Sequence, residues 1–507
     1  MIFLGVFVSC LALLVPFLAL DVPLAGEAWI LQTIGELHRN PGLVPTLNGV
    51  PLAGPNPLAQ VLLSLLPAAD LTALRIVGIL LGCLVSLSIF SFCTSLWDAR
   101  SGILAALVTM TSWGFITGHA TLNATVVPAS LAILAFLLFA QIYLKDHGSR
   151  WYLLSYLLAG TAVLTGGWIP LGFFVFGVIG LVLLDLSPRR ILSIQAPLGI
   201  LIIAAMIAAA LLGSWIVADW RYSASLFTFD SSHGVTARLW IWVKSLLPWV
   251  LLVIPAWVYG GRPQGPHLWR GLLAPKVGLG MGLVVVLFSP NLQDGYALLG
   301  VPFAGILIGY WASAGFLIPE KFQGLRTFTV AATAAILVAA AFAYLGAESV
   351  RNLSLSLALI PALLVLLATG GLAWWLVRSR RTPAVVGLCM VVVFGLSWYA
   401  ALVYLPQRAE GPVSYVRQIS SFSPLLVYRS DLVMRGYLGY AGAEPAVVSE
   451  AVVPIGGPAY LAVRTDDLED LVEGLSSRMN AEVVRSFHER GAYALIRVSP
   501  LFARQEP

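Results

Sequence analysis

The chain opens on MIFLGVFVSCLALLVPFLAL, residues 1–20, and this apolar run stops at Asp21-Val22-Pro23. A bilayer core about 30 Å thick takes roughly 20 apolar residues as a helix, so the run is long enough to span one. It has no basic leading segment, and nothing like a small-x-small cleavage pattern stands before Asp21. A retained signal anchor is the expectation. Working outward, runs of similar length predict further spans near 71–96, 102–118, 124–143, 152–166, 168–185, 192–217, 241–259, 275–289, 297–317, 327–346, 353–376 and 384–404. The expected fold class is an α-helical polytopic membrane protein with about thirteen transmembrane helices.

Composition agrees. Of 507 residues, 59% are hydrophobic and only 10% are charged, against about 45–50% and about 25% in soluble domains. That excludes a soluble enzyme, a disordered chain and a disulfide scaffold. A net charge of +5 is too small to argue for nucleic acid. Cys10, Cys83, Cys93 and Cys389 all fall inside apolar runs, so neither a disulfide framework nor a C-x-x-C metal site is at hand. P-loop, dinucleotide fingerprint and G-x-S-x-G elbow are all missing, which leaves ATP-driven transport and soluble-cofactor chemistry without support.

Cytoplasmic loops are enriched in Lys and Arg. Every second loop carries them: Arg100; Lys145 and Arg150; Arg189 and Arg190; Arg262, Arg270 and Lys276; Lys321 and Arg326; Arg378, Arg380 and Arg381. The N-terminus is therefore expected in the cytoplasm and the C-terminus outside. Three larger segments then lie outside. In the first, 21–70, a stripe of Leu24, Ala28, Leu31 and Gly35 predicts a helix along the membrane surface, and Leu58–Leu66 predicts a second. The second covers about 218–240. The third, 405–507, alternates β-like runs (Pro424–Tyr428, Tyr460–Val463, Val483–Phe487, Tyr493–Val498) with a polar helix near Asp466–Met479, and reads as a small α/β domain.

Asp21 is the most informative candidate. A carboxylate at the outer end of a span sits where a lipid-borne headgroup and an aqueous acceptor can meet. Glu27 is close enough in sequence to share its site. Glu36, nine residues further, falls on the opposite side of a straight helix and is expected on a solvated face. His38, His119, His233 and His488 lie in segments expected outside, but with no paired metal-ligand spacing. Tyr296, near Asp294, and Trp29, Trp168, Trp215 and Trp249 sit at depths usual for interfacial belt residues.

Several stretches together resemble the membrane glycosyltransferases of the GT-C type, in particular the aminoarabinose-transferase-like (ArnT-like, family 39) group. Leu20-Asp21-Val22-Pro23-Leu24-Ala25-Gly26-Glu27 is similar to the family's D-E-x-x-Y-A-E. Leu43-Val44-Pro45-Thr46-Leu47-Asn48-Gly49-Val50-Pro51 is close to W-L-V-P-x-L-N-G-x-P and is the most specific. The stretch from Trp97-Asp98-Ala99-Arg100 looks like the family's cytoplasmic turn. His233 followed by Pro248-Trp249, and Tyr296-Ala-Leu-Leu-Gly-Val-Pro302, resemble later elements.

The resemblance implies a GT-C domain over 1–404 and a periplasmic α/β domain over 405–507, in a bacterial inner membrane. It implies transfer of a sugar from a polyprenyl-phosphate donor to a lipid or other envelope-glycan acceptor, with membrane lipids as surroundings. Asp21 takes the catalytic place. Glu27, Asn48, Asn56, Asn123, Arg238, Lys244 and Tyr296 take supporting or substrate-binding places, and His233 with Glu27 those of ligands to a divalent metal ion. Four positions depart from the pattern. Val22 replaces an acid, Gly54-Pro55-Asn56-Pro57 replaces E-K-P-P, Asn123 replaces an Asp, and Leu292 or Gln293 stands where a lysine is usual. These departures leave open a second reading, a non-catalytic GT-C-like binding or assembly protein for lipid-linked glycans.

Overall fold

The computed structural model describes residues 2–19, 25–39, 46–47, 50–51, 71–122, 125–145, 150–185, 194–217, 234–259, 266–288, 294–314, 330–334, 382–399, 425–428, 446–448, 459–464, 479–487 and 493–500. Its helices are α1 (Ile2–Leu14), continued by a 3-10 turn (Val15–Ala19), α2 (Ala25–Arg39), α3 (Leu71–Leu96), α4 (Ala99–Met110), α5 (Trp113–Ala120), α6 (Val126–Lys145) and α7 (Arg150–Gly166). Then come α8 (Trp168–Asp185), α9 (Ala196–Val217), α10 (Val235–Ser245), α11 (Val250–Tyr259), α12 (Pro266–Phe288), a 3-10 helix (Asp294–Gly300), α13 (Val301–Ser313) and α14 (Thr382–Tyr399).

Among the described residues, six helices are long and apolar enough to cross a membrane, or up to eight if each bent pair is one span. Large apolar side chains such as Leu84, Phe176, Leu183, Ile200, Ile254 and Phe288 face outward, as a lipid-exposed surface requires. The chain is a multi-pass membrane protein. Two expected spans are not straight. The one expected at 102–118 is α4 and α5, bent by 67°, and the one at 241–259 is α10 and α11, bent by 88°. Hydropathy reads straight through a bend, which is why the sequence showed continuous runs. The span expected at 353–376 lies outside the described residues, as does most of 327–346.

The two bends meet. The Trp113 N–H donates to the Leu247 carbonyl at 2.8 Å, and Trp249 Nε1 donates to Thr111 Oγ1 at 3.1 Å. A break in a span frees backbone polar groups that lipid cannot satisfy; here each break supplies partners to the other. Ser245 adds a link from its hydroxyl to the Ala297 carbonyl at 3.4 Å.

The closest helix seam joins α4 to α13. Ser101, Ala105 and Thr109 recur every four residues on one helix, and Gly305, Gly309 and Ser313 on the other. Small residues at this spacing let two backbones approach. An added Cβ at Gly309 would collide with the Ala105 backbone, and one at Gly305 with the Thr109 hydroxyl. At the end of the seam the Ser101 and Ser313 hydroxyls bond at 2.6 Å.

Polar contacts sort the helix ends into two groups. One gathers Phe17, Glu27 and Arg75, Gly166 and Tyr296, and Arg238 and Leu287. The other gathers Tyr143, Asp185 and Arg270, Ser101 and Ser313, and Trp97 and Tyr310, with ring centroids 4.6 Å apart. These groups fall on the two sets of loops that alternate along the sequence. Within the bundle, Val6, Cys10, Leu13 and Leu14 of α1 are buried.

The first loop carries a two-residue ladder, β1 (Thr46–Leu47) with β2 (Val50–Pro51), paired Thr46 to Pro51 and Leu47 to Val50. Asn48-Gly49, which stands between them in the sequence, is a pair favoured in tight hairpins. In the tail, β3 (Leu425–Tyr428), β4 (Ala446–Val448), β5 (Ala459–Arg464), β6 (Met479–Phe487) and β7 (Tyr493–Pro500) form one mixed sheet in the order β4-β3-β5-β7-β6. Leu461, Val463, Ile496 and Val498 are buried at alternate positions on one face. Met479, the last residue of the polar helix expected near Asp466–Met479, is instead the first of β6; the rest of that stretch, like Leu58–Leu66, lies outside the described residues.

Candidate active site

At the first group of helix ends, α2 turns an unexpected face inward. Its buried side chains are Glu27, Ile30, Leu31, Thr33, Ile34 and Leu37. Of the stripe expected from apolarity, Leu24, Ala28, Leu31 and Gly35, Leu31 is buried, while an added Cβ at Gly35 would meet nothing within 4 Å; Leu24 and the Ala28 side chain lie outside the described residues. Glu27, which a polarity pattern places outside, is paired within the fold. Arg75 Nε donates to Glu27 Oε1 at 2.9 Å and Arg75 Nη2 to Oε2 at 2.8 Å. Both side chains are fully buried. Glu36, on the opposite side as expected, is half-buried and accepts from Gln32 at 3.2 Å.

The same guanidinium reaches a third acceptor, the Phe17 carbonyl, at 2.9 Å. Phe17 lies in the 3-10 turn that ends α1, where carbonyls have no partner within the helix and a positive charge is favoured. Arg75 therefore ties together α1, α2 and the first turn of α3. Arg75 is not among the residues that the sequence singles out. The signal was a single cation four residues into a 26-residue apolar helix, at the end where cations are otherwise scarce.

One turn beyond Arg75, Gly78 and Gly82 of α3 make room for His119 of α5. An added Cβ at Gly82 would stand 3.1 Å from the His119 Cγ and 3.2 Å from Leu14. The imidazole is fully buried against the Phe115 ring, 4.5 Å between centroids. Neither ring nitrogen has a hydrogen-bond partner. His119 was expected in an outer loop; it is instead an interior residue of a broken span.

Tyr296 and Trp249 correct the expectation of belt residues. Tyr296 is buried, and its hydroxyl donates to the Gly166 carbonyl at 3.0 Å. Trp249 is buried at the junction of the two bends, whereas Trp168 is exposed as a belt residue should be. On α10, Arg238 is buried and donates from Nη1 to the Leu287 carbonyl at 3.0 Å, while Lys244 is exposed. Six residues apart, they point to different sides of the helix. A row of contacts links these parts: Gly78 to His119, Gly118 of α5 to Leu298, and Ser245 to Ala297 beside Tyr296.

Asp21, Asn48, Asn56, Asn123 and His233 lie outside the described residues. Among the described residues no group of three or more His, Cys, Asp or Glu side chains comes together, and His233, one of the two expected ligands of a divalent cation, lies outside them. Both Glu27 oxygens are turned to Arg75.

Comparison with known proteins defines the class of fold. No family model matches the sequence, and no curated protein matches it. Solved structures do. ArnT from Cupriavidus metallidurans bound to undecaprenyl phosphate superposes with a TM-score of 0.68 at 16% identity, covering 97% of each chain. The same protein in the apo state gives a TM-score of 0.70 at 16% identity, again covering 97% of each chain. The fold is that of an ArnT-like GT-C membrane protein, in a divergent sequence.

Proposed function

We propose that this chain is a glycosyltransferase that moves a sugar from a polyprenyl-phosphate donor to a lipid or other envelope acceptor on the outer side of a bacterial inner membrane. The observation that carries the reading is the likeness over 97% of both chains to a protein solved with undecaprenyl phosphate. In this reading the N-terminus is cytoplasmic, and the first group of helix ends and the domain at 405–507 face the periplasm. The membrane domain spans 1–404.

Asp21 is the reacting carboxylate. It accepts the proton of an acceptor hydroxyl as that oxygen bonds to the anomeric carbon. The bond from that carbon to the phosphate oxygen breaks, and the polyprenyl phosphate leaves with the electron pair. Phosphate is already a good leaving group, so neither nucleotide nor ATP is consumed. Glu27 supports this place through its pairing with Arg75, and Asn48, Asn56, Asn123 and Tyr296 line the path of the substrates. Arg238, Lys244 and His233 are the candidates to face the donor phosphate, in place of the lysine absent at Pro55. Asp21→Asn, measured by sugar transfer in membranes, abolishes transfer and leaves membrane insertion unchanged; retained transfer rejects the assignment.

The second reading, a non-catalytic protein that binds or assembles lipid-linked glycans, is favoured by Val22 and by Gly54-Pro55-Asn56-Pro57. It predicts binding of undecaprenyl phosphate with no turnover of any donor.

A further inference from the structure

We infer that Arg75 is a positioning residue for the segment that carries Asp21: one guanidinium holds the chain on both sides of residues 18–26 and so fixes the two points from which Asp21 is presented. The inference rests on the reading of Asp21 as the reacting carboxylate.

Phe17 stands four residues before Asp21 and Glu27 six residues after it. Five residues, 20–24, connect the 3-10 turn to α2, and the elements on both sides meet the same side chain, at 2.9 Å on the Phe17 carbonyl and at 2.9 and 2.8 Å on the Glu27 carboxylate. Only a planar fork with several donors can grip a carboxylate with two parallel bonds and a carbonyl with a third. Lysine offers a single point charge.

The packing of the spans does not depend on this contact. α1 already meets α3 where Leu14 lies against Gly82 and where the Ser86 hydroxyl stands 3.9 Å from Cys10 Sγ. α5 is seated on α3 by His119 over Gly78. What Arg75 adds is a polar tie from these spans to the loop helix α2, beside the apolar packing of Ile30, Leu31 and Ile34. A fully buried ion pair is also a weak way to gain stability, since well-packed apolar residues of similar volume often do as well or better. Its use is to fix a geometry.

That contrast supplies the test. In full-length protein, Arg75→Met combined with Glu27→Met removes both buried charges and keeps the volume, so the thermal midpoint in detergent stays at or above that of the parent. Arg75→Lys keeps the charge and loses the fork. Each is combined with Val22→Cys and exposed to a membrane-impermeant maleimide, the native cysteines Cys10, Cys83, Cys93 and Cys389 being buried. The expected result is a labelling rate at Val22→Cys raised about tenfold in both variants, from the loss of charge-assisted bonds. In the transfer assay kcat falls about a hundredfold, with little change in the KM for donor. Labelling within about twofold of the parent in a double variant that retains the parent's midpoint overturns the inference, because it leaves Arg75 a structural staple only. Should the double variant fail to fold, Arg75→Lys carries the same labelling comparison. Active Asp21→Asn rejects the functional reading and leaves the labelling result standing; inactive Asp21→Asn beside unchanged kcat in Arg75→Lys rejects the inference alone.

Discussion

The two groups of helix ends are built differently. Around Asp185 a buried carboxylate, 1% exposed, meets a cation that is half in water. Tyr143 donates to the carboxylate at 3.2 Å, and Arg270, whose side chain is 47% exposed, approaches it at 3.3 Å. Asp98 caps α4 by accepting from the Ser101 N–H at 2.6 Å. Around Arg75, charges are wholly buried, two spans break and join at the break, and an imidazole lies in the interior with neither nitrogen bonded. Folding gains little from such features, and the breaks and buried charges cost free energy. They concentrate at the end where the proposed function places the chemistry. The plain end holds the bundle together; the costly end is where we place the work.

This contrast can be broken by substitution. The largest effect is expected from Arg75→Ala. It strands a buried carboxylate at Glu27 and should cost about 3–5 kcal/mol, read as a loss of thermal stability in detergent. An effect no larger than that of Arg270→Ala removes the distinction between the ends. Next is Gly309→Val in the α4/α13 seam, where the added atoms meet the Ala105 backbone; about 1–3 kcal/mol is expected from overpacking. A neutral result would show that the two helices can separate without loss. Smallest is Arg270→Ala at the other end, about 1 kcal/mol because its side chain is 47% exposed and Tyr143 keeps its bond to the buried Asp185, and the difference should shrink further in high salt.

Much of the bundle was legible from apolar run length alone. The spans expected at 71–96 and 168–185 coincide with α3 and α8 to the residue, because in both the apolar run and the helix end together. What escaped is what a polarity pattern cannot carry. A bend keeps its apolar residues, so Thr111-Ser112 and Leu247-Pro248 were read through. Glu27 points inward because a distant residue neutralises it, and that partner, Arg75, has no local pattern. β4 went unnoticed because three residues, Ala446–Val448, are too few for a period. In the candidate site, sequence reasoning found Glu27, Arg238 and Tyr296 as residues of interest. It could not see that each is occupied in the fold, by Arg75, the Leu287 carbonyl and the Gly166 carbonyl in turn.

The central claim is sugar transfer from a polyprenyl-phosphate donor through Asp21. The most direct test is mass spectrometry of lipid-linked sugars and envelope glycans in a deletion strain carrying the wild-type chain, Asp21→Asn or no copy. The account predicts one envelope glycan shorter by a single sugar and a polyprenyl-phosphate sugar accumulating in the deletion, both reversed by the wild type and neither by Asp21→Asn. Identical glycans in all three strains, or full reversal by Asp21→Asn, would contradict it.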